Sequence, residues 1–87
     1  MPWYRIEMSS HVAQQRATGL ITEYSRVHFK ASAPPEARVH HRQLPAGDHI
    51  YYFSPEAVAL SEGLLQQFGG TACSGKPDLN GFRLVNL

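Results

Sequence analysis

One cysteine, Cys73, stands in a chain of 87 residues, so no disulfide can form within it. That favours a reducing compartment, and the cytoplasm is the expected location. No apolar run approaches the ~20 residues that a bilayer crossing needs. The opening MPWYRIEMSS has neither the basic nor the apolar segment of a secretory leader. No lipidation signal closes the chain, which ends Val-Asn-Leu. No membrane partner is expected. With Met first and no tag, the chain is expected to be complete. Charge of one sign is also lacking: eight Lys and Arg stand against seven Asp and Glu, a formal +1. This excludes a strong overall electrostatic draw to nucleic acid, though not a local basic patch.

What remains is an ordinary globular composition, 43% hydrophobic and 17% charged. Residues 1–87 are expected to form a single small domain. A domain of this size buries only about 60–65% of the surface its unfolded chain exposes. A second copy that hid more apolar area would stabilise it.

Residues Trp3 to Met8 (WYRIEM) alternate in polarity and predict a strand, with Tyr4, Ile6 and Met8 on one face. Trp3, Arg5 and Glu7 take the other face. Ser9 and Ser10 offer a helix cap. Beyond them Ala13, Ala17, Leu20, Tyr24, Val27 and Ala31 recur at spacings of four, three, four, three and four. That is the stripe of an amphipathic helix. The β-branched and aromatic content of 18–29 makes a strand there the alternative. Ala33-Pro34-Pro35 ends either element.

Val39 to Leu44 and His49 to Ser54 predict two strands joined by the turn Pro45-Ala46-Gly47-Asp48. Ser54-Pro55-Glu56 places an N-cap, a helix-opening proline and a first-turn acid in order. Ala57, Leu60, Leu64 and Phe68 give that second helix its apolar face, and Gly69-Gly70 stops it. Thr71 to Ser74 is a short possible strand, and Phe82 to Leu87 is a last extended segment.

The order strand, helix, strand, strand, helix, strand resembles the ferredoxin-like plait. This is an α+β class βαββαβ two-layer sandwich, an antiparallel sheet with two helices on one face. The resemblance is one of element order alone. It implies a fold and no particular function.

A hairpin turning at Ala46-Gly47 sets Leu44 opposite His49, Arg42 opposite Tyr51 and His40 opposite Phe53. Ile50 and Tyr52 then join Ile6 beneath the helices. The open face displays Trp3, Arg5, His40, Arg42, His49, Tyr51 and Phe53, the candidate binding residues. A slip of one residue would exchange the faces. Tyr, Trp, Phe and Arg dominate protein–protein hot spots. The expected function is therefore a non-catalytic binding module, contacting a second copy or another protein. Single-stranded nucleic acid is an alternative partner, its bases stacking on the same rings. HIYYFS lacks the glycine-bearing signature of the RNA-recognition motif, which weakens that alternative. A further alternative is a dimeric barrel enclosing a pocket lined by Trp3, His40, His49 and Tyr51, where a histidine moves a proton. If instead a terminal segment, Phe82 to Leu87, folds over the open face, its aromatics are merely core.

No metal or other cofactor is expected. Neither Cys-x-x-Cys nor His-x-x-x-His spacing occurs, and adjacent His40 and His41 point to opposite strand faces. Thr71 to Lys76 (TACSGK) superficially resembles a phosphate loop because it ends Ser-Gly-Lys, but it lacks the full pattern: Pro77 follows the lysine, and no helix can begin there in the required way.

Overall fold

The computed structural model describes residues 1–87. Strand β1 runs Tyr4–Met8 and buries Tyr4, Ile6 and Met8, as the alternation predicts. Helix α1 spans Ala13–Lys30 and buries Ala13, Ala17, Leu20 and Tyr24. The strand alternative for 18–29 is thereby excluded. The helix begins later than the serines foretell. Its cap residue is Val12, with no side-chain bond. The Ser10 amide instead donates to Asp48 Oδ1 at 2.7 Å, tying the helix entry to the hairpin loop.

Strands β2 (Val39–Gln43) and β3 (His49–Phe53) form the hairpin. Ser54 then caps helix α2, Pro55–Leu60, through a bond from the Ala57 amide to its Oγ. The single second helix expected over 55–68 is instead two. The chain breaks at Ser61, whose φ of −160° and ψ of 73° are not helical, and resumes as α3, Glu62–Gln67. The break is associated with a hydrogen bond from the Tyr4 hydroxyl to the Glu62 carboxylate, and α3 buries Leu65. Gly69 takes the left-handed conformation (φ 82°) that ends α3. Gly70 then passes so close to the helix that a Cβ on it would stand 2.7 Å from the Leu65 carbonyl oxygen.

Two short strands complete the sheet, β4 (Thr71–Ala72) and β5 (Arg83–Leu84). The architecture is α+β: five antiparallel strands in the order β4-β1-β3-β2-β5 with three helices. The extended segment expected over Phe82 to Leu87 shrinks to β5, which lies beside β2 and not beside β1. Residues 73–82 therefore connect opposite edges of the sheet. Fourteen buried apolar residues from the inner sheet face, the helices and Ala37 form one core cluster. Within it the Phe53 and Tyr24 rings meet edge to face, 5.0 Å between centroids.

The hairpin register differs by one residue from the expected one. Gln43 lies opposite His49, Arg42 opposite Ile50, His41 opposite Tyr51, His40 opposite Tyr52 and Val39 opposite Phe53. The cause is the loop. Leu44 belongs to it, donating to the Asp48 carbonyl at 2.8 Å and accepting from the Gly47 amide at 2.9 Å. Gly47 supplies a φ of 99°. One added loop residue exchanges the faces of β3 relative to β2. His49, Tyr51 and Phe53, expected on the open face, are buried against the helices at 4%, 3% and 0% exposure. Ile50 and Tyr52, expected in the core, take their place.

Candidate functional site

The ladder sorts the candidate residues into two rows. On the open face Arg5, Tyr52, His40 and Leu84 stand in consecutive register across β1, β3, β2 and β5. On the helix face the matching row is Ile6, Tyr51, His41 and Arg83. Of the seven residues expected to share a surface, Trp3, Arg5, His40 and Arg42 remain on the side away from the helices.

The chain itself partly covers that open face. The Phe82 ring lies 5.1 Å from the Tyr52 ring. The Trp3 and His40 rings are 5.9 Å apart. Trp3, His40, Lys76 and Leu79 line one shallow cleft with Ser54. Burial lowers the tendency of His40 to protonate, and the charges of Arg38 and Lys76 lower it further. Arg5 is tied to Glu7 at 2.7 Å. Leu84 stays 61% exposed at the end of the row.

The helix face holds the more organised chemistry. His41 Nε2 and His49 Nδ1 approach to 2.6 Å, and the rings lie within 10° of parallel, 4.8 Å between centroids. The Tyr51 ring stacks on His41 at 4.5 Å. Burial makes His41 harder to protonate, and a charge on His49 would oppose it further. Burial also pushes the Tyr51 hydroxyl up to about 12. The other nitrogen of His49, Nε2, is buried with no partner. His41, His49 and Tyr51 form one wall of a cleft of about 390 Å³ whose other wall is α1, including Gln14, Thr18 and Thr22.

His41 also lines a second cleft of about 400 Å³ at the sheet rim, with Arg42, Gln43, Gly81 and Arg83. No family model, curated protein or solved structure matches this chain.

His41 and Arg83 were absent from the expected set. The signal for His41 was its pairing with His49 across a hairpin, which appears only once the loop has five residues. Arg83 had no sequence signal, because its neighbour is set by which edge β5 joins. The pocket expected from Trp3, His40, His49 and Tyr51 is divided, the first two on one sheet face and the last two on the other. The base-stacking platform loses Tyr51 and Phe53 to the core and has Tyr52 under Phe82. No group of three or more His, Cys, Asp or Glu gathers to ligand distance. The Cys73 amide donates to the Trp3 carbonyl at 2.7 Å. Burial pushes the Cys73 thiol up while Arg5 pulls it down, which leaves it a poor nucleophile. No helix is long and apolar enough to cross a membrane.

Proposed function

We propose that the chain is a small binding module that works through protein–protein contact on the open side of its sheet, with a second copy as its first partner. The observation that carries this reading is Leu84. It is 61% exposed and continues the row Arg5, Tyr52, His40. An apolar side chain beside the Trp3–His40 pair gives a contact with an apolar centre and polar surroundings. Need supports it as well: only 16 of 87 residues are buried, and a second copy would add apolar burial that the small core does not supply. We also read the inner order β4-β1-β3-β2 as that of the ferredoxin-like plait, with β5 added at one edge. That fold leaves one sheet face free of helices.

The contact residues in this reading are Trp3, Arg5, His40 and Leu84. His49, Tyr51 and Phe53 no longer belong to it. The test is solution mass by light scattering after size exclusion, at low and high salt, for the native chain and Leu84→Asp. The expected result is a dimer at both salts that Leu84→Asp weakens by about 1–3 kcal/mol. A monomer at both salts would remove self-association. Binding that appears only at low salt, and only with single-stranded nucleic acid, would favour the other partner class.

A further inference from the structure

We propose that the sheet rim where β2 meets β5 binds a small phosphorylated molecule, its phosphoryl group held between Arg42, Arg83 and His41. This site is separate from the open-face contact and does not depend on it. The cleft there measures about 400 Å³, and no acidic or apolar side chain lines it. That is within the size range of small-molecule sites.

Both guanidiniums lack a carboxylate. The ion pairs of the protein are Arg5 with Glu7 and Arg26 with Glu23. Two unpaired guanidiniums in one cleft repel each other, and an anion between them reverses the sign of that term. The backbone is shaped to permit it. Arg42 pairs in register with Ile50, yet its guanidinium lies at the rim against Gly81. A Cβ on Gly81 would stand 3.5 Å from both Cζ and Nη1 of Arg42. With its φ of 81°, Gly81 gives a bare wall against which the planar group lies. Arg83 sits directly opposite His41 in the ladder.

His41 supplies the third donor. Its ring lines the cleft, and with Nε2 engaged by His49 Nδ1 the nitrogen left free is Nδ1. Placing the shared hydrogen on His49 Nδ1 gives His41 a hydrogen on its own Nδ1. The same placement leaves His49 Nε2 bare. That fits its burial without a partner, since buried orphan donors are rarer than underused acceptors. His49 is thus a positioning residue for His41. Two guanidinium forks and a ring N–H match a dianion with three outer oxygens better than a carboxylate with two oxygens and one charge.

The test is titration of the full chain with inorganic phosphate, then with a sugar monophosphate, followed by amide ¹H–¹⁵N spectra at neutral pH. Sodium chloride and sodium acetate at matched ionic strength are the comparisons. The expected result is saturable shifts confined to the amides of 40–43 and 81–84, absent with chloride and much weaker with acetate. Arg42→Gln and Arg83→Gln should each weaken binding by about tenfold, while Arg26→Gln should not. Both target side chains are exposed, and unchanged spectra elsewhere will show that the fold persists. Shifts that never saturate, that acetate reproduces, or that survive both substitutions would overturn the proposal. Tighter binding of a single-stranded oligonucleotide, with shifts spread over the sheet, would also overturn it.

Discussion

His41 and His49 stand side by side on the covered face of the sheet, Nε2 to Nδ1 at 2.6 Å with nearly parallel rings. The contact has room for one hydrogen. It forms only because the two residues are diagonal neighbours across the hairpin, in the register where His41 faces Tyr51.

Acid should therefore weaken the fold. Protonation of His41 is disfavoured in the folded chain, by burial first and by His49 second. Its folded value lies below the ordinary 6.5, so the unfolded chain binds more protons in that window. Stability is full above about 6.5 and falls as the pH drops through the folded value. Urea midpoints should decline from neutral to mildly acidic pH. His41→Asn should flatten that decline in part, leaving the share of His40, which is lowered by its own burial and by Arg38 and Lys76.

Truncations along β3 should alternate in cost. Phe53→Ala removes a fully buried ring from its contact with Tyr24 and should cost about 3–5 kcal/mol. Ile50→Ala, on the other face and only half-buried, should cost about 1 kcal/mol or less. Equal costs in denaturant unfolding would contradict the five-residue loop.

Ser54 should matter more than an ordinary cap. Its Oγ accepts from the Ala57 amide at 3.2 Å and the Arg38 amide at 2.9 Å, and donates to the Glu36 carbonyl at 2.7 Å. Ser54→Ala would leave donors from two segments without this acceptor. A loss of about 2–3 kcal/mol is expected in the same unfolding measurement. A loss of a few tenths would mean that water replaces the hydroxyl.

The glycines of the α3 region should respond in opposite directions. Gly63→Ala meets nothing within 4 Å and should gain about 0.5 kcal/mol from helix propensity. Gly70→Ala drives a methyl to 2.7 Å from the Leu65 carbonyl oxygen and should lower the melting temperature. Thermal melts of the pair check both signs.

Local pattern alone settled several elements. The alternation of Tyr4, Ile6 and Met8, the stripe from Ala13 to Tyr24, and the Ser54-Pro55-Glu56 start all appear in the structure at the predicted places. Each depends on neighbours within a turn or on strand alternation, where period and capping chemistry leave little choice. The break at Ser61 and the crossing of residues 73–82 accompany contacts between residues far apart in the chain, Glu62 with Tyr4 and Phe82 with Tyr52.

The hairpin shows the division most sharply. Sequence determined that the runs Val39 to Leu44 and His49 to Ser54 pair, because both are strand-like and a Pro-Ala-Gly-Asp turn separates them. It did not determine which of Tyr51 and Tyr52 lies inside. Both faces of HIYYF are apolar enough to be buried, so alternation carries no preference. Tertiary packing decided it: the Tyr24 ring on α1 accepts Phe53, and Asp48 anchors Ser10. That one-residue choice moved Tyr51 and His49 beneath the helices and brought His49 to His41. The docking of β5 at the β2 edge, a second tertiary choice, set Arg83 opposite His41 at the rim.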